Sequence, residues 1–229
     1  MLPLKDLNES STTPHVNRVL LILNIVVFAV YWLSASGILL STRFASDIES
    51  NFVMYPYEIV HGQRLYTVLT SMFMHAGWIH LLGNMLFLFV FGDNVEDAFG
   101  HIGYLLFYLV CGAAAAYAHI LTITTGFAGA SSLTEGVVGA SGAISGVLGA
   151  YAVLYPKARV LTFLFYFLVP LPAILFLGFW FAMQWFYGVF DVSGNVAYWA
   201  HIGGFVMGVA LALIFGTNRK KNREARLRL

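Results

Sequence analysis

Two short stretches carry residues that can do chemistry together. Gly139-Ala140-Ser141-Gly142-Ala143-Ile144-Ser145-Gly146 sets a serine among small residues at the head of an apolar run, and His201 stands near the head of a later one. Serine and histidine are the smallest pair that makes an activated nucleophile. The imidazole takes the hydroxyl proton as the oxygen attacks a carbonyl, then returns it to the leaving amine. A third stretch offers His80 and Asn84. Their i,i+4 spacing puts them on one face of a helix. With the backbone N–H of Ser141, these two side chains can hold the oxyanion of a tetrahedral intermediate. No Asp or Glu lies in the apolar segments that carry these residues, so a Ser–His dyad is the most the sequence supports.

The glycines admit two readings that are compatible. Gly139 and Gly142 leave space beside Ser141 for a substrate carbonyl. Gly142, Gly146 and Gly149, with Gly204 and Gly208, also form small-xxx-small faces that bring helix backbones close. Such packing can deliver His201 to Ser141.

The elements that must position these residues follow from composition. Of 229 residues, 59% are hydrophobic and 10% charged, and the mean hydropathy is +0.79. A soluble domain carries about 25% charged residues, so the chain reads as a polytopic membrane protein. The fold class expected is all-α, a compact bundle of six transmembrane helices in a single domain. Apolar segments are drawn at 19–40, 78–91, 102–122, 137–155, 160–190 and 196–216, within a core of 19–216. Residues 1–18 form a polar N-terminal segment without a signal-peptide core, so the first helix is expected to be retained. Residues 217–229 form a basic tail. Net charge is +1, which gives no field for nucleic acid. The single cysteine, Cys111, has no partner for an internal disulfide and receives no role.

The first connection, 41–77, is aromatic-rich and is expected to lie partly in the membrane interface. The connections 126–136 and 188–195 are short. Pro170 and Pro172 are expected to kink or break the fifth helix. With six spans both termini share one side. Ten cations fall there (Lys5, Arg18, Lys157, Arg159, Arg219, Lys220, Lys221, Arg223, Arg226 and Arg228), against Arg43 and Arg64 on the other. That bias puts both termini in the cytoplasm. His80, Ser141 and His201 then lie near the outer ends of spans two, four and six. Ser141 falls about four residues, or roughly 6 Å, into its helix.

Blander roles stand beside each residue. Ser141 alone is a packing residue, and His201, His80 and Asn84 alone are interhelical hydrogen-bonding groups. His75 is read as a structural bond holding the first loop, Arg64 as a partner for loop carbonyls, and Glu96 as a cap on an inner turn. Asp191 reads as a solvated loop carboxylate, and His15, His61, His101 and His119 fall outside the constellation. The H-E-x-x-H pattern is absent and no carboxylate completes a zinc ligand set, so no metal and no cofactor are expected.

In this order and on these spans, the motifs resemble those of the rhomboid intramembrane serine proteases. They are Gly139-Ala140-Ser141-Gly142, Ala200-His201 with Gly203 and Gly204, His80-Leu81-Leu82-Gly83-Asn84 after His75, and Phe91-Gly92-Asp93-Asn94-Val95-Glu96. The likeness runs over residues 63–208. It implies an endopeptidase that cleaves single-pass membrane proteins in or near their transmembrane segments. Its partners would be transmembrane substrates and the lipid bilayer, with no nucleic acid. It would be a monomer or weak oligomer in the plasma (inner) membrane. A cavity would open outward, span five with its following loop would be a lateral gate, and the first loop would be membrane-embedded. Where many members carry Trp-Arg, this chain has Gln63-Arg64. Where many carry an aromatic residue four positions after the nucleophile, it has Ser145, so the motifs do not say what orients His201. A catalytically inactive relative that binds and routes membrane helices is the alternative. A transporter fits less well, since no internal repeat is visible.

Overall fold

A computed structural model describes residues 1–127, 132–190 and 196–220. The helices are α1 (His15–Ala35), α2 (Thr42–Phe52), α3 (Pro56–Val60), α4 (Thr67–Thr70), α5 (Trp78–Phe99), α6 (His101–Thr124), α7 (Ser141–Leu154), α8 (Ala173–Phe190) and α9 (Tyr198–Leu211). A π-helical turn, Ala212–Gly216, extends α9. Among the described residues, five helices (α1, α5, α6, α8 and extended α9) are long and apolar enough to cross a membrane, and α7 is a shorter apolar helix. The chain is a polytopic helical bundle.

α7 forms the centre, with every residue from Ala143 to Ala152 buried. It holds that place because small residues let neighbouring backbones approach. A Cβ on Gly204 would run into the carbonyl oxygen of Gly142, one on Gly208 into that of Gly146, and one on Gly149 into that of Phe205. α7 and α9 are therefore in backbone contact over three turns. On its other side Gly146 faces the Cys111 side chain of α6, which gives that buried thiol a packing position. At 1.5 Å per residue the 14 residues of α7 span about 21 Å. A bilayer core is about 30 Å thick, so α7 ends short of one surface.

The opposite end of the bundle holds a second set of polar contacts. Glu96, fully buried, accepts the N–H groups of Val16 (2.9 Å) and Asn17 (2.7 Å) at the start of α1. Helix N-termini leave these donors unpaired and favour a negative charge. Asn17 donates to the Leu88 carbonyl and accepts from Tyr104. Asp97 accepts from Ser11 and Thr12. Arg219 and Lys220 donate to the carbonyls of Phe99 and Leu154.

The bundle is mostly helical, as expected, and adds a small sheet that was not foreseen, in which β1 (Leu2–Asp6), β2 (Arg159–Leu164) and β3 (Phe167–Pro172) pair antiparallel in that order. The register pairs Leu2 with Phe163, Asp6 with Val160, and Arg159 with Pro172. The apolar run 160–190 is thus a hairpin followed by a helix, not one kinked helix. Its prolines sit in β3, whose other edge carries no strand and so needs no donor. The second span is also longer than drawn and reaches Phe99, ending at Gly100 with φ +72.

Gly208→Val is expected to lower the unfolding free energy by about 1–3 kcal/mol, since the Gly146 backbone cannot yield. Gly178, on α8, has open space around it. Gly178→Ala is expected to be neutral or to stabilise by up to about 1 kcal/mol. Thermal unfolding in detergent checks both. Equal melting points for Gly208→Val and the unmodified chain would refute the contact.

Candidate active site

Ser141 is the first residue of α7. The sequence expectation placed it a turn inside a helix beginning near 137, and the structure corrects this. Val137 pairs with Met54 in an antiparallel bridge, and the Gly139 N–H donates to the Ser71 carbonyl at 2.9 Å. Gly139 has φ +125, a conformation that excludes helix and favours glycine. A Cβ there would also lie 2.8 Å from Cε1 and Nε2 of His80. The extended segment therefore ends where glycine is required by both dihedral and space, and Ser141 emerges at the mouth of α7. The first loop builds this approach. Its Arg64 pairs with Glu58 at 3.0 Å and donates to the Ser50 carbonyl, and its Phe44, Phe52, Tyr57 and Tyr66 are exposed.

His201 lies in the first turn of α9. Its Nε2 is 2.9 Å from Ser141 Oγ. Its Nδ1 is 2.8 Å from Gln184 Oε1, on α8. An amide oxygen only accepts, so this contact matches the tautomer with its proton on Nδ1, in which Nε2 can accept from the serine hydroxyl. Ser145 donates from Oγ to the Ser141 carbonyl at 2.6 Å. No ring occupies that position. The aromatic neighbours of His201 are Trp180, with centroids 6.1 Å apart, and Tyr198 at 6.4 Å.

Ser141, Ser145, Trp180, Gln184 and His201 line a cavity of about 1360 Å³, together with His80, Asn84, Gly139, Gly142, His119 and Glu135. Asn84 is buried, and its Nδ2 donates to no other described residue. Gly204 lies behind the cavity wall, against the Gly142 carbonyl. Sequence reading brought Ser141, His201, His80, Asn84, Gly139 and Gly142 together, and the structure sets all six around one hollow. It missed Gln184, whose signal was a lone amide on an otherwise apolar helix. It also left out His119, which lines the cavity. Among the described residues no three of His, Cys, Asp and Glu converge as metal ligands. Asp191 lies outside the described residues.

The polytopic bundle thus sets a serine, a histidine and an amide with no partner among the described residues around one cavity. Residues 62–218 match the family model "Rhomboid domain". The chain belongs to the rhomboid family. It is similar to RHOMBOID-like protein 1 of Arabidopsis thaliana, with 32% identity over 157 residues, 69% of this chain and 36% of that protein. It is similar also to RHOMBOID-like protein 6, mitochondrial (40% over 55 residues) and RHOMBOID-like protein 2 (38% over 68 residues) of the same plant. Those two alignments cover 24% and 30% of this chain, and 18% and 22% of the relatives' own lengths.

His75 connects the first loop to α5 and is buried, its ring 5.2 Å from that of His80. Burial, with the neighbouring His80 adding to it, holds its imidazole down at about 4 instead of 6.5. The folded chain keeps it neutral, while the unfolded chain takes up a proton below 6.5. Its stabilising contribution is therefore complete above pH 6.5 and is lost as pH falls toward 4. Between pH 7 and 4.5 the wild type is expected to lose about 2–3 kcal/mol more stability than His75→Gln. Denaturant unfolding of both proteins at the two pH values measures this, and parallel losses would refute it.

Proposed function

We propose that this protein is an intramembrane serine endopeptidase that cleaves single-pass membrane proteins in or near their transmembrane segments. The observation that carries the reading is the 2.9 Å approach of Ser141 Oγ to His201 Nε2 inside the cavity. Ser141 Oγ attacks the scissile carbonyl carbon as its proton passes to Nε2. The carbonyl oxygen becomes an oxyanion, held by the Ser141 N–H, the Asn84 amide and the His80 ring. The Ser141 N–H is free to do so because the first N–H groups of a helix have no intrahelical acceptor. The C–N bond then breaks and His201 gives its proton to the departing amine. Water, activated by the same imidazole, releases the acyl group from Ser141. A neutral pair suits this setting, because a buried carboxylate would be costly at membrane depth.

The cation bias supports cytoplasmic termini, with the cavity facing the other side of a plasma (inner) membrane. Both members of the reactive pair are present, and that favours the enzyme over an inactive helix-binding relative.

Ser141→Ala is expected to abolish cleavage of a transmembrane substrate in liposomes without lowering the melting temperature. Asn84→Ala is expected to reduce kcat by about 10²- to 10³-fold. A fluorophosphonate probe is expected to label the wild type and to fail on His201→Ala. Undiminished turnover by Ser141→Ala would overturn the assignment, and an unlabelled, inactive wild type would favour the helix-binding alternative.

A further inference from the structure

We propose that Gln184 is a positioning residue: its side-chain oxygen holds the Nδ1–H of His201 and thereby leaves Nε2 as the base for Ser141. The proposal rests on the assignment of Ser141 and His201 as nucleophile and base.

A neutral imidazole carries its proton on either nitrogen. With the proton on Nε2 the ring would donate to Ser141 Oγ and could not accept its proton. Gln184 Oε1 stands 2.8 Å from Nδ1. It selects the useful tautomer and fixes the ring plane that aims Nε2 at Oγ. When Nε2 takes the serine proton the ring becomes cationic, and the Nδ1–H···O bond strengthens as a charge-assisted one. The interaction is therefore worth more in the transition state than in the resting protein, which is what catalysis requires. Gln184 is the lone amide on α8, which carries no charged side chain. An amide in an apolar helix is expensive unless it is used.

Gln184 also fills a gap in the site. Serine hydrolases with a triad use a carboxylate at this place. Here the groups facing His201 are His80 from α5, His119 from α6, Ser141 from α7, and Tyr198 from its own helix. Among the described residues, the one carboxylate lining the cavity is Glu135. Nδ1 is already engaged by Gln184, while Trp180 lies tilted at 34° and Tyr198 edge-on at 90°, so neither ring lies face to face on the imidazole.

The test compares Gln184→Met with Gln184→Glu in the full chain, reconstituted in liposomes with a fluorogenic transmembrane substrate. Methionine keeps the length and flexibility of glutamine but removes the acceptor. Q184M is expected to lose about 10- to 100-fold in kcat, the loss usual for removing the partner that orients a working histidine, with KM and melting temperature near wild type. Q184E keeps an acceptor and adds negative charge, so it is expected to stay active. The acid limb of its pH–kcat profile should move up by about one unit or more, because an adjacent anion favours the imidazolium. A residue that only packed would alter neither kcat at constant stability nor the position of that limb. Wild-type kcat in Q184M, or an acid limb unmoved in Q184E, overturns the proposal. If Ser141→Ala still cleaves, the parent assignment has failed. If Ser141→Ala is dead while Q184M is fully active, the positioning role alone has failed.

Discussion

The backbone contact between α7 and α9 sets everything else. At three successive turns a glycine on one helix faces a carbonyl oxygen on the other, with no room for a Cβ. In a membrane no hydrophobic drive pushes helices together, so association depends on close van der Waals fit and on interhelical hydrogen bonds. Glycine faces give that fit and also fix the register. Gly142 follows Ser141 directly, and Gly204 stands three residues after His201. Locking Gly204 against Gly142 therefore brings the first turns of the two helices side by side. The 2.9 Å separation of Ser141 and His201 is a consequence of helix packing, not of any local motif around either residue.

The two ends of the bundle treat polar groups differently. At the end bearing the N-terminal strand, several buried polar groups are satisfied within the chain. Glu96 caps α1, Asn17 bridges α5 and α6, and Asn94 is bonded to Asp6 and Asn8. At the cavity end Asn84 Nδ2 and His119 Nδ1 have no partner among the described residues. An unsatisfied buried donor costs about 1–3 kcal/mol. Glu96, Asn17 and Asn94 avoid that cost, whereas Asn84 and His119 carry it where they face an open volume. The short α7 contributes to this division, because its 14 residues end short of one face of the bundle.

How much of this was legible in the sequence depended on the kind of signal. Ser141, His201, His80 and Asn84 were readable because polar residues stand out in apolar runs and their spacings fit helix faces. The small-residue faces were readable for the same reason. The hairpin was not. Residues 160–172 are apolar and uncharged, and hydropathy cannot separate a strand pair from a helix. Pro170 and Pro172 gave a warning, but a kinked span explained them equally well. The start of α7 was misread because Ala140 and Gly139 continue the apolar pattern. Only the Met54 bridge and the positive φ of Gly139 end the helix there, and both are tertiary facts. Gln184 was overlooked because one amide in an 18-residue apolar helix has no periodic partner to mark it. Its meaning comes from the histidine it faces.

The placement of Gln184 ties the chemistry to a particular wall of the cavity. α8 is less enclosed than α5 or α6, with 17% of its apolar window buried against 50% and 44%. It contributes Trp180 and Gln184 to the lining. The hairpin leads into it, and Ala173 and Ile174 are tied back to the carbonyls of Ala158 and Pro156. The helix is held at its hairpin end and, further along, against α9 by the Phe181–Phe205 and Tyr187–Tyr198 ring contacts and the Gln184–His201 bond. On the proposed role of Gln184, the same wall that closes this side of the cavity also aims the base, because Oε1 reaches Nδ1 only from the present position of α8.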